Sequence, residues 1–310
     1  MNLFVFGLGY TARNFIARYG ERITRICGTS HSPDQSRLLE GPEVIAYRFK
    51  DTGYDLRILD ELASADALLV SIPPNLGADP VLDFFTDAIR SARRLRWVGY
   101  LSTVDVYGDA QGSWVDESTT PDLDTPRSRH RLEAEQRWLR LGQQAQFSVQ
   151  IFRLANVYGP GRNPLRQLAE GRAKRSVKSG QVLNRIHASD VAQVLMSSME
   201  RPSRSAIYNV ADDEPTRPEE VIAFAASLLG REPLPATPFA EGPLPSPARS
   251  FYQGNNRVRN VRIKTDLGVT LLYPTYREGL RALVGDTSQT CMEALEHRAE
   301  PKVRSQRCSH

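Results

Sequence analysis

The stretch "LFVFGLGYTARNFIARYG", residues 3–20, contains a strand, a glycine-rich turn and a helix, in that order. Its first four residues form a short apolar run, and from Tyr10 onward apolar residues recur at the three- to four-residue spacing of a helix. The turn between them has the pattern G-x-G-x-x-A, with Gly7, Gly9 and Ala12 at the fixed positions. This order predicts a dinucleotide-binding turn, and a glycine-rich turn without a ligand is the alternative.

Each fixed position of this motif has its own physical task. Gly7 permits the tight turn, Gly9 lets a pyrophosphate approach the backbone, and the small Ala12 lets the helix pack closely against the strand. The helix N-terminus then presents free N–H groups to the anion. The motif therefore predicts a cofactor site where the first helix begins.

The alternation of strand and helix continues along the chain. Amphipathic stretches such as residues 82–95 and 131–141 separate apolar runs at residues 23–29, 44–49, 67–72, 96–103 and 147–159. Buried strands that alternate with helices predict an α/β fold, a doubly wound parallel sheet with helices on both faces. In such sheets ligands bind beyond the carboxyl ends of the strands.

The composition limits the classes of protein that fit. The 310 residues, of which 40% are hydrophobic, can bury a large core. No apolar run approaches the roughly 20 residues of a membrane span, and no signal peptide precedes the first strand, so we expect a cytoplasmic protein without a membrane partner.

Charge and cysteine content exclude two further classes. The 40 basic and 36 acidic residues are spread through the chain without a basic stripe, which argues against a nucleic-acid partner. The three cysteines fit no metal-ligand spacing and are too few for a disulfide framework. We therefore expect no metal site.

The end of the second strand bears on which cofactor fits. A carboxylate there would mark a preference for an unphosphorylated ribose, and none is present in residues 27–32. Thr29, Ser30 and His31 offer hydrogen-bond donors and do not repel a 2′-phosphate. They favour NADP over NAD, although no arginine decides between the two.

Two more segments are candidates for contact with the cofactor. Asp51, after the third strand, is placed to accept a hydrogen bond from the adenine amine. The segment "SIPP", which contains Ser71 and Pro73, would close over the middle of the cofactor. Ordinary loop residues are the alternative at all three positions.

Five segments in a fixed order resemble one known family. They are "GLGYTA", "LSTVDVYGD", "RLANVYGPGR", "RIHASDVA" and "YNVADDEP". Together they resemble the extended short-chain dehydrogenase/reductases, the group of NAD(P)-dependent epimerases and dehydratases, over about residues 1–285. The G-x-G-x-x-A spacing and the arginines described below resemble an atypical, YeeZ-like branch.

The resemblance implies a division into two lobes. A Rossmann core would comprise about residues 1–162 and 185–230, and a smaller substrate lobe about residues 163–184 and 231–285. Residues 286–310 lose strong patterning, so we interpret them as a flexible tail. A homodimer stays open as the assembly.

The resemblance also implies which residues stand at the reacting atoms. After its fifth strand the family places a Ser or Thr hydroxyl, here Thr103, and dehydratase relatives place an acid or base at the position of Asp105. The next helix of the family carries a tyrosine four residues before a lysine. Aligning "RLEAEQ" with the family's "KLEAEQ" puts Arg127 and Arg131 at these positions, and a shift by two residues gives no tyrosine either.

An arginine pair changes the chemistry that this helix can support. A guanidinium stays protonated, so it cannot supply the titrating group of hydride transfer, and an altered proton relay is predicted. Residues four apart share one helix face, so Arg127 and Arg131 could hold a ribose, a phosphate or a carboxylate. A solvated face that also carries Arg129, Glu133 and Glu135 is the alternative.

The segment "NVYGPGR" supplies the substrate-binding candidates Asn156, Tyr158 and Arg162, and Tyr158 is also an alternative proton donor. Relatives that use nucleotide sugars carry an arginine four residues before the histidine of "IHVDD", where this chain has Leu183. Arg185 is close by but is expected to point elsewhere, which argues against a nucleotide sugar.

Two hypotheses about function follow from these residues. The first is an NAD(P)-dependent epimerase, dehydratase or reductase with an unknown small carbonyl or hydroxyl substrate. The second is a non-catalytic NAD(P)-binding sensor or regulatory protein, which the missing tyrosine and lysine favour. The polar side chains of Thr103, Asp105 and Asn156, which are present at the predicted site, favour the enzyme.

Overall fold

The computed structural model describes residues 1–31, 42–50, 52–75, 78–122, 125–202, 204–239 and 254–285. Its strands are β1 (Asn2–Phe6), β2 (Arg25–Ser30), β3 (Val44–Lys50), β4 (Gly53–Tyr54), β5 (Ala67–Val70), β6 (Trp97–Thr103), β7 (Asp109–Val115), β8 (Ser148–Leu154), β9 (Asn156–Tyr158), β10 (Ser176–Val177), β11 (Arg185–His187), β12 (Ala206–Val210), β13 (Thr237–Pro238) and β14 (Asn255–Val258). Its helices are α1 (Tyr10–Tyr19), α2 (Arg57–Ser64), α3 (Pro80–Ser91), α4 (Pro126–Ala145), α5 (Pro164–Ala169), α6 (Ala188–Glu200), α7 (Pro218–Leu228), α8 (Val261–Thr265) and α9 (Tyr276–Ala282).

The central sheet has eight strands in the order β12-β8-β6-β5-β1-β2-β3-β4. All neighbours in it are parallel except β3 and β4. The predicted α/β class with a doubly wound parallel sheet is therefore confirmed. The chain order reverses at β1, which lies between β2 and β5, so the crevice beyond the carboxyl ends of β1 and β5 is the topological switch point.

Both faces of the sheet are covered, as the continuous apolar runs predict. On β1, Leu3 and Val5 pack in one hydrophobic cluster with residues of α1 and α6. Phe4 and Phe6 point to the opposite face and pack with residues of α2, α3 and α4. Because each strand is buried on both sides, its sequence shows no polar alternation.

The apolar run at residues 147–159 forms two strands rather than one. β8 ends at Leu154, and β9 begins at Asn156, leaves the central sheet and pairs in parallel with β11. In this pairing Asn156 lies opposite Arg185 and Tyr158 opposite His187. Apolar periodicity could not show the break, because both strands are buried.

A separate hydrophobic cluster forms the core of the second lobe. It joins side chains of β9, α5, α7 and α9, among them Tyr158, Leu165, Val221 and Leu280. The range 185–230, predicted as Rossmann core, thus contains α7, which packs on α5 and α9. The lobe boundaries themselves stay a prediction, and residues 240–253 and 286–310 lie outside the described residues.

Candidate functional site

The end of β2 holds the first glycine turn in place. The Gly7 N–H donates to Thr29 Oγ1 at 2.9 Å, and the Leu8 N–H donates to the Thr29 carbonyl at 2.9 Å. Gly7 has a φ of 91°, in the left-handed region, and a Cβ there would lie 2.8 Å from Ile72 Cγ1. Both the turn and its packing against the residues after β5 therefore require glycine.

Gly9 is needed for a different reason. It is the N-cap of α1, with extended backbone (φ −85°, ψ −172°) that any residue can adopt, and it makes no side-chain cap. The nearest atom to a Cβ built there is Ser71 Oγ, at 3.9 Å. A side chain at Gly9 would fill open space in front of the helix N-terminus, where a pyrophosphate would bind. The residues present fit that group.

Tyr10 joins this turn to the turn at residues 159–162, directly after β9. Its hydroxyl donates to the Pro160 carbonyl at 3.1 Å, and the Arg162 guanidinium lies over its ring, with Cζ 5.5 Å from the ring centroid. Burial raises the Tyr10 pKa to about 12. The turn at residues 159–162 is thus held against the start of α1. This role of Tyr10 was not predicted, although an aromatic residue directly after Gly9 is visible in the sequence.

The predicted ribose-binding residues have unequal access to the crevice. Thr29 is buried and its hydroxyl oxygen accepts from Gly7, so it supports the turn from behind. Ser30 is half-buried and His31 is exposed at the end of β2. His31 is therefore the more accessible of the three to a ribose or its 2′-phosphate.

The other predicted cofactor residues lie around the same crevice or outside the described residues. Ala12 is fully buried in the core under α1, as close packing of the helix requires. Ser71 is half-buried beside Gly9, and Pro73 is exposed two residues further on. Asp51 lies outside the described residues.

A cavity of about 210 Å³ brings together most of the predicted catalytic and substrate residues. Its lining includes Asp105, Arg127, Asn156, Arg162, Asn184 and Asn256. We call it the first cavity. Two of its asparagines, Asn184 and Asn256, were not predicted, and the Asn184 side-chain amide donates to Asn256 Oδ1 at 3.0 Å.

Asp105 lines this cavity just after β6 ends, whereas Thr103, two residues earlier, is not among the lining residues. Thr103 is half-buried, and its hydroxyl oxygen accepts from the Asp105 N–H at 3.2 Å, which caps a short 3-10 turn at Val104–Tyr107. The Asp105 carboxylate lies 3.7 Å from the Arg127 guanidinium, and about half of each side chain is exposed (47% and 58%). An ion pair this exposed leaves both groups accessible to a ligand.

Arg131 does not line the first cavity. It is buried on α4, and its Nη1 donates to the Leu101 carbonyl of β6 at 3.2 Å. The alternative of a solvated helix face is therefore wrong for Arg131 and for Glu135, which is also buried. Arg127, Arg129 and Glu133 are exposed, and of these Arg127 also lines the first cavity.

A buried network of polar side chains lies beneath the cavity. Glu135 pairs with Arg153 at 2.7 Å, with side-chain exposures of 1% and 2%. Glu135 also accepts from the Ser102 hydroxyl at 2.5 Å, and Arg153 donates to the Tyr107 hydroxyl, which donates to Asn209. The network joins α4 to three strands of the sheet. Tyr107 is buried within it.

A second cavity of about 130 Å³ adjoins the first, and we call it the second cavity. The two share the wall residues Asn156, Val157 and Arg162. Leu183 lines the first cavity and Arg185 the second, so Arg185 does not take the position of the family's diphosphate-binding arginine. Arg185 nevertheless lines a cavity next to the predicted substrate residues, although it was expected to point elsewhere.

Tyr158 forms part of the wall of the second cavity. It is buried, its hydroxyl has no hydrogen-bond partner among the described residues, and burial raises its pKa. The hydroxyl also lies against Gly279 of α9. This environment disfavours the phenolate, which weighs against Tyr158 as the proton donor.

His187 and Asp190 hold elements together rather than face a cavity. The His187 Nδ1 accepts from the Ser189 N–H at 3.1 Å and caps α6, and burial lowers the His187 pKa to about 4. The Asp190 carboxylate accepts from the N–H groups of Leu272 and Tyr273 at 2.6 and 3.1 Å. The Asp190 contacts hold α6 to the segment at residues 272–273.

Two further properties concern the described part of the chain alone. None of its helices is long and apolar enough to cross a membrane. Within the same residues, no group of three or more His, Cys, Asp or Glu side chains is placed to hold a metal ion.

A parallel sheet with a glycine turn at its switch point and an open helix N-terminus beside it defines a Rossmann-fold protein of the dinucleotide-binding class. Residues 85–211 match the model of the NAD-dependent epimerase/dehydratase family. The chain is similar to this family over that segment, which runs from α3 to just past β12.

Three similar proteins match most of the chain. A functionally unknown conserved protein from Silicibacter pomeroyi DSS has a solved structure with 45% identity and a TM-score of 0.83, covering 92% of this chain and 98% of that one. Protein YeeZ of Escherichia coli K12 is 28% identical over 87% of this chain and 95% of its own. A dTDP-glucose 4,6-dehydratase from Bacillus anthracis, solved in complex with NAD, shares the fold with 16% identity and a TM-score of 0.74, covering 93% and 97%.

Proposed function

We propose that this chain is an NAD(P)-dependent oxidoreductase of the epimerase and dehydratase type that acts on a small carbonyl or hydroxyl substrate. The observation that carries the proposal is the open cradle at Gly9, which lies at the same sheet edge as the first cavity. The bound cofactor would supply or accept a hydride. The protein would bind it through the Gly7 turn, the N-terminus of α1 and the segment at Ser71.

The proposed proton relay uses Thr103 and Asp105. The Thr103 oxygen already accepts from a backbone N–H, so its hydroxyl proton is free to bond the reacting oxygen of a substrate. Among the described residues that line the first cavity, Asp105 alone has an acidic side chain. Its carboxylate can take up a proton. Arg127, 3.7 Å away, would stay protonated and orient both the carboxylate and the substrate.

The proposal also covers the choice of cofactor and the residues that hold the substrate. NADP is favoured over NAD because no described residue at the end of β2 places a carboxylate against a 2′-phosphate. The dehydratase relative carries NAD in its solved complex, which favours the opposite choice. Asn156 and Arg162 line both cavities and would hold the substrate between them.

The second candidate is an NAD(P)-binding sensor without turnover. The observation that favours it is the arginine at position 127 in place of a phenol, since a guanidinium cannot exchange the proton that carbonyl reduction needs. A sensor would bind the cofactor as tightly as an enzyme but would need no relay at Asp105.

A turnover assay separates the two. The full chain is incubated with NADH and NADPH and a broad panel of aldehydes, ketones and keto acids, and the loss of reduced-nicotinamide absorbance is followed. Asp105→Asn should lower kcat by about 100-fold or more while leaving cofactor affinity unchanged. Asp87→Asn, whose side chain is 94% exposed, is the matched control and should keep the wild-type rate.

Each outcome of this assay decides between the hypotheses. Cofactor binding without turnover over the whole panel would favour the sensor. Turnover that Asp105→Asn leaves intact would reject the relay but keep the enzyme.

A further inference from the structure

Arg185 lines the second cavity and forms no ion pair with a carboxylate in the described part of the chain. Its Nη1 donates to the carbonyl oxygens of Leu183 and Thr216, at 3.0 and 3.2 Å. Burial lowers its pKa, and the charges of Asp212 and Glu214 offset this only in part. A guanidinium in such a place is stabilised when an anion binds it.

The buried acid Asp212 attracts Arg185 but forms no hydrogen bond or ion pair with it in the described part of the chain. Asp212 accepts from the Glu214 N–H at 3.2 Å, and its other oxygen has no hydrogen-bond partner among the described residues. Burial raises the Asp212 pKa well above its ordinary value, which disfavours its charged form. Glu214 instead pairs with Arg277 at 3.3 Å, across the outer side of the lobe.

The rest of the cavity wall is suited to an anion. None of the residues that line it is acidic, and a second guanidinium, that of Arg162, stands at the boundary with the first cavity. The Gln167 side chain also lines the cavity and makes no hydrogen bond with a described residue. Two guanidinium groups and a free amide offer several N–H donors to one small oxyanion.

We propose that the second cavity binds an anionic group of the substrate, a carboxylate or a phosphate, and that Arg185 is its main ligand. This inference rests on the proposed function, because the reacting carbon would lie next to Asp105 in the first cavity. The volume of about 130 Å³ is below the roughly 300 Å³ at which pockets for drug-sized ligands begin. The cavity suits one small charged group and has no room for a nucleoside.

Direct binding of simple anions tests the proposal without an assay of activity. The full chain is titrated calorimetrically with inorganic phosphate, with propionate and, as a cation of similar size, with propylammonium. We expect at least one anion to bind and the cation not to bind. Arg185→Gln should weaken anion binding at least about tenfold, and Arg185→Lys, which keeps the charge, should weaken it less.

The control variants separate this cavity from general surface charge. Arg172→Gln removes an exposed arginine that pairs with Glu170 outside both cavities, and it should bind anions like the wild type. If Arg185→Gln fails to fold, Arg162→Gln takes its place, because Arg162 is exposed and its loss leaves the core intact. Anion binding that is unchanged in both Arg162→Gln and Arg185→Lys would overturn the proposal, and weaker binding in either variant would support it.

The remaining outcomes are equally decisive. Binding of phosphate alone or of propionate alone would identify which anion the substrate carries. Equal anion affinity in the wild type and Arg185→Gln, or no binding of either anion, would overturn the inference. NADH titrated in parallel tests the proposed function by itself, so the two failures can be told apart.

Discussion

Burial divides the charged residues of α4 into two groups with different tasks. Arg127 is exposed and reaches the first cavity, whereas Arg131 and Glu135 are buried beneath it. Their spacing places all three on neighbouring positions of one helix face, but depth depends on where the helix crosses the sheet. Sequence spacing could therefore suggest an arginine pair but could not show that only one member reaches a ligand.

Glu135→Gln is expected to lower the free energy of unfolding by about 3–5 kcal/mol, because it leaves the buried Arg153 without a countercharge. Urea denaturation with a two-state fit measures the change. Asp266→Asn, which removes a partly exposed i,i+4 pair with Arg262, should cost less than about 1 kcal/mol. A loss in Glu135→Gln as small as in this control would show that the buried pair does not stabilise the fold.

His187 should make stability depend on pH. Its folded pKa is about 4, against about 6.5 for the unfolded chain, so the unfolded state binds the proton more readily between these values. His187 therefore contributes roughly 3 kcal/mol to the free energy of unfolding above pH 6.5. This contribution is lost as the pH falls through 4. His187→Asn keeps a capping side chain and should remove this part of the pH dependence.

Unfolding free energies from urea titrations at pH 7 and at pH 4.5 measure that difference. His187→Asn also loses the ring contacts of His187 with Tyr158 and Tyr273, so we expect it to be less stable at every pH. The quantity to compare is therefore the change in unfolding free energy between the two pH values in each protein. Equal pH slopes in the wild type and His187→Asn would contradict the assignment.

At the scale of elements, α9 approaches β9 so closely that its glycine has no room for a side chain. A Cβ at Gly279 would lie 2.0 Å from the Tyr158 hydroxyl oxygen and 2.8 Å from the adjoining ring carbon. The Tyr158 ring is buried between elements of the second lobe and cannot move away freely. The position of α9 therefore sets one wall of the second cavity.

Gly279→Ala sets two effects against each other. Alanine improves helix propensity by about 1 kcal/mol, whereas overpacking against Tyr158 costs typically 1–3 kcal/mol. We expect net destabilisation in urea denaturation. Gly285→Ala is the control, because nothing lies within 4 Å of a Cβ there, and it should change stability by less than about 0.5 kcal/mol. A higher free energy of unfolding in Gly279→Ala than in the wild type would show that the contact with Tyr158 is relieved without cost.

The elements that could be predicted are those with strong local signals. The strand, turn and helix of residues 3–20 are confirmed, as are the buried strands of the central sheet, because periodicity and glycine placement specify them. The break at Ala155 and the short strand β7 were not predicted. Their pairing is decided by contacts between segments distant in sequence, such as β7 with β14.

At the scale of the whole molecule, two lobes meet where β9, β11 and the start of α1 come together. The contact of Tyr10 with Pro160 joins the predicted cofactor crevice directly to the wall of both cavities. The sequence could place Asn156 and Arg162 at a sheet edge, but it could not place Arg185 or Asn256 there. The predicted homodimer and the absence of a nucleic-acid partner stay predictions.

Cofactor binding should stabilise the whole chain. A ligand that binds only the folded state at 100 times its Kd adds about 2.7 kcal/mol to the free energy of unfolding. At roughly 2–4 °C per kcal/mol for a domain of this size, the melting temperature should then rise by roughly 5–10 °C. Scans with NADH, NADPH and adenine alone would measure the effect, and an equal shift with adenine alone would contradict binding across the crevice.

The most direct test of the account is calorimetric titration of NADH and NADPH into the wild type and Gly9→Val. The backbone at Gly9 accepts any residue and the space before it is open, so the variant should fold normally. We expect the wild type to bind at least one of the two cofactors and the variant to bind it at least about 100-fold more weakly, because the valine fills the pyrophosphate position. Equal affinity in the two folded proteins, or no binding of either cofactor by the wild type, would contradict the central claim.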